Sequence, residues 1–210
     1  MPNPKPKTTN HKLPSRYFII NKPFNMVSQF VSTHHVRLLG DLDFEFPPDT
    51  HAVGRLDNHS EGLLILTTNK KVTRLLFLGD EPHKRTYLVQ VNNILSAENL
   101  KRLQNGINIR IKTGVNYTTT PCDVNMVTNP EELYDLGNRL TAYHPFTWLQ
   151  ITITEGKFHQ VRKMIAATGH KCKRLIRISI EDLQLDGLKA GEVSELEEED
   201  FFKKLKIGHY

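Results

Sequence analysis

The sequence predicts an α+β protein built on a mixed, mainly antiparallel sheet. Two observations carry this. Short runs at Tyr17–Ile20, Gly62–Thr67, Thr86–Val91, Trp148–Thr154 and 172–180 read as strands, either continuously apolar or alternating with period two. Helical stretches are interleaved with them, but short hairpin-like links dominate, which argues against a doubly wound parallel sheet.

The elements follow in chain order. Residues 1–15 hold four prolines, several lysines and almost nothing apolar, and predict a disordered basic tail. Tyr17-Phe18-Ile19-Ile20 reads as a buried strand stopped by Asn21-Lys22-Pro23. Residues 26–50 are irregular, with a helix expected near Val36–Phe44. Ala52–Asp57 reads as a short strand running into a loop, and Gly62–Thr67 as a buried strand. Asn69 is placed to N-cap a helix over 70–78, with Val72, Leu75, Leu76 and Leu78 inward. Thr86–Val91 alternates like a strand. Ser96 with Asn99 opens a helix to Gln104 that Gly106 ends. Hairpin strands are expected over 107–127. Trp148–Thr154 alternates cleanly, and Glu155-Gly156 turns the chain. Phe158–Thr168 then carries Val161, Met164, Ile165 and Thr168 on one stripe, with Gly169 at C′. Glu197–Lys206 reads as a short terminal helix.

With 210 residues, 38% hydrophobic and 24% charged, the chain has length for one domain with a real core. No run approaches the roughly 18 apolar residues of a spanning helix. The N-terminus lacks the apolar segment of a secretory signal, so a cytoplasmic location is expected. Cys122 and Cys172 stand fifty positions apart and predict two reduced thiols. The formal net charge is +5. Residues 191–210 nevertheless hold six acids against three lysines, so the body is more basic than the total says. A basic body favours a polyanionic partner, RNA or DNA; the plainer alternative is a charge that only keeps the protein in solution.

Three constellations can carry chemistry. In Gly54-Arg55-Leu56-Asp57-Asn58-His59-Ser60-Glu61-Gly62, two glycines bracket a charged loop between apolar strands, a common way to display a reactive side chain. Asp57 suits a nucleophile or base with Arg55 organising charge beside it; the alternative is a surface loop with a local ion pair. In Glu155-Gly156-Lys157-Phe158-His159-Gln160-Val161-Arg162-Lys163, a helix starting near Phe158 puts His159, Arg162 and Lys163 on one face. With Lys171, Lys173, Arg174 and Arg177 following, the segment suits a phosphate backbone, or is a solvated basic face. Arg162 lies near the apolar stripe, where its charge needs a partner, and a carboxylate from elsewhere in the chain would serve. In Lys84-Arg85-Thr86-Tyr87-Leu88-Val89-Gln90-Val91, Tyr87 shares a face with Val89 and Val91, as a buried structural ring or one that stacks on a base. The ten histidines show no metal-ligand spacing, and no phosphate-loop or dinucleotide glycine pattern occurs. Neither a metal nor a cofactor is expected.

Together these segments resemble the RNA pseudouridine synthases. GRLDNHSEGLLILTTN is similar to their signature loop, and EGKFHQVRKMIAATGHKCKRLIR to the later basic segment of the RsuA-type subgroup. FIINKPFNMV and KRTYLVQV fall in the matching order, so the resemblance spans about residues 17–196. TWLQITITEGKFHQVRKM is most similar to the RluE-type branch, which acts on large-subunit ribosomal RNA. The resemblance implies a catalytic domain over 16–210, a sheet in two subdomains with a central cleft, and no separate N-terminal RNA-binding domain before Tyr17. It implies a cofactor-free isomerisation of a flipped-out uridine to pseudouridine. Asp57 matches the family's catalytic aspartate and Arg162 the basic residue paired with it. Tyr87 matches the tyrosine that packs on the base, and Leu175 the apolar residue buttressing it. Arg55 matches a residue holding the flipped nucleotide's place. Lys22 and Lys157 are assigned to phosphate contacts or structural support, and the segment with His159, Gln160, Lys163, Lys173, Arg174 and Arg177 to one RNA-binding rim. The expected partner is ribosomal RNA of the large subunit or its assembly intermediate, with a monomeric enzyme. A non-catalytic RNA-binding or assembly factor on the same fold, and a synthase acting on transfer RNA, are the competing readings.

Overall fold

In the computed structural model, residues 14–77, 79, 81–111, 114–137 and 145–210 are described. The expected tail therefore lies almost wholly outside the described residues, as does Leu78.

Strand β1 (Tyr17–Lys22) is buried on both faces, and so is β3 (Glu61–Thr67), because a core packs against each side of the sheet. Alternation splits their side chains between two cores. Phe18, Ile20, Leu64 and Leu66 enter one; Tyr17, Ile19, Leu63 and Ile65 enter the other. Short strand β2 (His51–Val53) pairs with β3. The remaining strands of this sheet are β4 (Arg85–Asn92), β7 (Asp123–Val127), β8 (Phe146–Ile153), β9 (Cys172–Ile180), β10 (Leu183–Gln184) and β11 (Val193–Leu196). Strands β5 (Asn108–Arg110) and β6 (Asn116–Thr118) form a separate small hairpin.

The main sheet runs β11-β1-β3-β9-β4-β8-β7. Every pairing is antiparallel except β3 with β9, which run parallel and meet only at Glu61–Ile176 and Gly62–Arg177. Two antiparallel wings thus join along a short parallel seam. Gly62 makes this join possible: its φ is +96°, and a Cβ there would stand 2.3 Å from the Arg177 carbonyl oxygen.

The seam also holds buried charge. Arg174 donates to both oxygens of Glu61, at 3.1 Å (Nε) and 2.8 Å (Nη2), and to the Leu136 carbonyl at 2.9 Å. Arg177 Nε donates to the Leu63 carbonyl at 2.8 Å. Lys22 has no exposed surface, and its Nζ donates to the carbonyls of Pro23 (2.8 Å) and Met26 (2.7 Å). Burial pulls the Lys22 ammonium down to about 8, against the upward pull of Glu61 and then Asp57.

Helices cover both faces. On one, α1 (Val72–Phe77) contributes Val72 and Leu76, and α4 (Glu198–Lys204) contributes Phe201 and Phe202, with Leu205 just beyond it. On the other, α2 (Ala97–Gln104) buries Leu103, and α3 (Gln160–Ala167) buries Val161, Met164 and Ile165. Ser96 Oγ caps α2 by accepting from the Asn99 amide at 3.2 Å. The acidic end of the chain has a local cause. Glu198, Glu199 and Asp200 fill the first turn of α4, with Lys203 and Lys204 in its last, an order that complements the helix dipole. Tyr17 bonds the Glu198 carboxylate and accepts from Asn69 Nδ2 at 2.9 Å, tying β1 to both neighbouring helices.

Two expectations are corrected. The helix near Val36–Phe44 is absent; only a single 3-10 turn, Leu39–Asp41, occurs there. Tertiary packing decides this segment, since Phe44 and Phe46 pack against each other and edge-on against Phe18, with Phe30 against Phe46. Helix α3 starts at Gln160, not Phe158, because His159 takes a left-handed conformation, φ +54°, outside the helix. No helix among the described residues is long and apolar enough to cross a membrane.

Candidate active site

A cleft of about 510 Å³ opens over the seam, walled by the β2–β3 loop, the strands β4 and β9, and the segment leading into α3. Among its lining residues the one carboxylate is Asp57. The loop that carries it is pinned from below: Ser28 Oγ accepts from the Leu56 amide (3.0 Å) and donates to the Leu56 carbonyl (2.9 Å). The Ser60 amide closes the turn on the Asp57 carbonyl at 2.9 Å. Asp57 therefore has a fixed backbone, while its side chain remains 34% exposed to the cleft.

Two nitrogen-bearing side chains, an imidazole and a guanidinium, approach the carboxylate from the start of α3. His159 Nε2 lies 3.3 Å from Oδ1, and Arg162 Nε lies 3.9 Å from Oδ2. Arg162 also holds the loop itself, since its Nη2 donates to the His59 carbonyl at 2.8 Å and to Ser60 Oγ at 3.2 Å. The guanidinium that the sequence left in need of a carboxylate thus has one within ion-pair reach. Its shortest bonds, however, go to the loop backbone.

Tyr87 and Leu175 line the same cleft from adjacent strands. Tyr87 is 9% exposed and packs in the core that also holds Val89 and Leu175. Arg177, paired in register with Tyr87, lies at the floor with Nη2 buried and without a hydrogen-bond partner among the described residues. Arg55 is exposed at the mouth beside Asp57. A half-exposed carboxylate, a buried phenol and several cations in one cleft can attack an electrophilic carbon of an anionic polymer and hold its phosphates.

The remaining predicted site residues divide. Lys157 is exposed, its Nζ 4.7 Å from the centre of the Tyr117 ring, and Lys163 Nζ stands 5.3 Å from the centre of the Phe158 ring. Lys173 is exposed on β9 but does not line the cleft. For Lys22 the structure favours the second of its two alternatives, and for Arg174 and Gln160 the rim assignment is corrected. Lys22 sits inside the seam and serves as structural support, out of reach of a phosphate. Arg174 is committed to Glu61 and the Leu136 carbonyl, so it forms no part of a rim. Gln160 is buried as a clasp: it accepts from the Lys157 amide (2.9 Å) and donates to Glu155 (2.6 Å), which in turn bonds Tyr117 and the Thr120 amide. In each case alternation or helix phase turned the side chain inward, where a polar group must find protein partners.

Sequence reasoning missed three contributors. Ser28 lies in an irregular segment with no motif to mark it. Arg85 donates to the Thr154 carbonyl, and its guanidinium lies 5.6 Å from the centre of the Phe77 ring at one end of the cleft. Phe158 stands 55% exposed at the rim. Its spacing, three before Val161 and seven before Ile165, reads as part of the apolar stripe, so no sequence signal marked it.

Comparison with known proteins gives the same direction. The family model described as RNA pseudouridylate synthase matches residues 16–167. The ribosomal large subunit pseudouridine synthase E of Xanthomonas axonopodis pv. citri is 37% identical over 174 residues, covering 81% of this chain and 88% of that protein. The enzyme of the same name from Vibrio parahaemolyticus is 34% identical, over 87% of this chain and 74% of its own length. A solved pseudouridylate synthase structure superposes with a TM-score of 0.72 at 26% identity, covering 91% of this chain and 74% of its own. With the fold, the cleft and the sequence in agreement, the chain belongs to the RNA pseudouridylate synthase family, whose members are isomerases.

Proposed function

We propose that this protein converts a specific uridine of large-subunit ribosomal RNA to pseudouridine, with Asp57 as the nucleophile. The observation that carries the reading is the Asp57 carboxylate itself. It stands half-exposed on a pinned loop, between His159 and Arg162, in the same cleft as Tyr87. The names of the relatives supply the class of RNA.

The reaction breaks the N1–C1′ glycosidic bond, rotates the detached uracil, and joins C5 to C1′. The C5 hydrogen leaves as a proton and N1 gains one, so atoms balance without an oxidant or an energy source. The uridine has to leave its stack to reach a cleft this narrow. Asp57 attacks, and Arg162 keeps its loop in place. Tyr87 packs on the base and relays the C5 proton, giving up its own hydroxyl proton as it takes the new one, with Leu175 behind the ring. Arg55 at the mouth fills the space the nucleotide vacates, and Lys157, Lys163 and Lys173 supply cations for the backbone. In this reading the protein is a monomer acting on cytoplasmic RNA through a single catalytic unit, residues 16–210.

Ribosomal RNA tritiated at uridine C5 tests this directly. Wild type is expected to release tritium and Asp57→Asn to release none above background. Equal release by the two would remove Asp57 from the chemistry. Wild-type silence on both naked RNA and ribosomal particles would replace the enzymatic reading with RNA binding alone.

A further inference from the structure

The segment that brings His159 to Asp57 also displays an aromatic ring that the isomerisation does not use. Phe158 is 55% exposed, unusual for a phenylalanine beside a catalytic cleft. It is not loose. Its ring lies on that of His159, centroids 3.8 Å apart and planes inclined by 19°. His159 is itself held by its left-handed backbone and by the 3.3 Å approach to Asp57. The chain from carboxylate to imidazole to phenyl ring is therefore continuous, and it ends in open solvent at the cleft mouth.

The surroundings say what such a ring is for. Lys163 Nζ stands 5.3 Å from its centroid, and exposed Lys157 is its neighbour in sequence. An oriented, solvent-facing ring flanked by cations, one residue from a carboxylate that attacks a nucleotide, fits the base of an adjoining nucleotide with its phosphate. A flat π-face bordered by positive charge is the common feature of single-strand RNA platforms. An apolar peptide side chain would gain nothing from the two lysines.

We propose that Phe158 is the stacking platform for an unpaired base flanking the target uridine, with Lys163 taking the phosphate beside it. The inference rests on the reading of the cleft as a uridine site and extends it to the substrate. The uridine must have at least one neighbour free to leave its own helix, so the target lies in a loop, bulge or unpaired strand. Because His159 lies beneath the ring and touches Asp57, the docked base also steadies the contact that orients the nucleophile.

The test uses the shortest ribosomal RNA fragment on which wild type releases tritium, synthesised with an abasic nucleotide at each position flanking the target in turn. Phe158→Ala is expected to weaken binding of the intact fragment about tenfold, the usual loss for one base–aromatic stack. Phe158→Trp is expected to restore it. One abasic fragment should bind wild type and Phe158→Ala equally, because the stack is already gone. The platform is refuted if Phe158→Ala binds the intact fragment as wild type does. It is equally refuted if the alanine penalty persists on every abasic fragment, since Phe158 would then only support His159. Failure of wild type to release tritium from any RNA would bring down the uridine-site reading first, and the platform with it.

Discussion

At the scale of the residue, what distinguishes this cleft is how Arg162 divides its hydrogens. The ion pair to Asp57 is long, at 3.9 Å, whereas the bonds to the His59 carbonyl and Ser60 Oγ are 2.8 and 3.2 Å. A planar fork with several donors can do both; an ammonium at the end of a flexible stem cannot. Arg162→Lys should therefore keep a positive charge near the carboxylate and still lose turnover, on the order of 100-fold, the range typical for a misplaced reacting group. Single-turnover rates on saturating RNA are the readout. A lysine variant within threefold of wild type would mean that charge alone is needed there. Asp57, Tyr87 and Arg162 could be singled out in the sequence because their neighbours carry motifs. The contact of His159 with Asp57 was not: the residues are about a hundred positions apart, and the contact depends on a single left-handed φ. Arg174 and Gln160 were misread for a related reason. A basic or polar residue in a charged run looks solvated until the strand or helix phase that buries it is known.

At the scale of the element, strands were the most readable part, and the pairing that joins the two wings the least. Runs such as Gly62–Thr67 and Trp148–Thr154 bury side chains in two cores at once, which leaves a clear signature. The segment around Val36–Phe44 has apolar residues at plausible helical spacing, but its rings are claimed by Phe18 on β1, and tertiary packing overrides local preference. The β3–β9 seam involves just two residue pairs between strands over a hundred positions apart. Gly62 was visible only as one of two bracketing glycines; its purpose is the close backbone approach to Arg177, where an added Cβ would stand 2.3 Å from the carbonyl oxygen. Gly62→Ala adds both a backbone clash and a strained φ, so it should destabilise the protein by about 3 kcal/mol or more. Urea unfolding would show this as a midpoint shift without a change of slope. Gly137, which has positive φ but nothing within 4 Å of an added Cβ, provides the control, with a smaller loss on Gly137→Ala. Equal losses at the two positions would show that strain, not the seam, sets the cost.

At the scale of the whole molecule, the seam concentrates buried charge directly beneath the cleft, and this makes stability depend on pH in a particular direction. Glu61 and Arg174 compensate one another with two hydrogen bonds, as a buried pair must to offset desolvation. Lys22 is less well matched. Its ammonium is held by two carbonyls, and burial brings it from 10.5 down to about 8. Below pH 8 the lysine is charged in both folded and unfolded chains, and the full cost of burying it is present. Between pH 8 and 10.5 the folded protein releases the proton while the unfolded chain keeps it. Stability from this group therefore rises with pH across that window. From pH 7 to 9.5 the gain is about 2 kcal/mol, taking 1.36 kcal/mol per pH unit. Burial pushes the Cys122 and Cys172 thiols up to about 11, so they oppose the trend from about pH 9, and Tyr17 and Tyr134, also raised chiefly by burial, oppose it above about pH 10. All four are shared by wild type and a Lys22 variant and cancel in their difference. The stability of wild type relative to Lys22→Met, from urea midpoints at fixed ionic strength, is expected to increase by that amount over the interval. Should the methionine variant not fold, proton uptake on unfolding at pH 9 gives the same information when measured on the Cys122→Ser/Cys172→Ser protein, which lacks the opposing release from the two thiols, with close to one proton taken up from Lys22. A constant difference between the two proteins, together with no uptake, would mean that Glu61 and Asp57 hold Lys22 fully charged. In that case the floor of the cleft carries a permanent positive charge under Asp57, instead of one that fades as pH rises through 8.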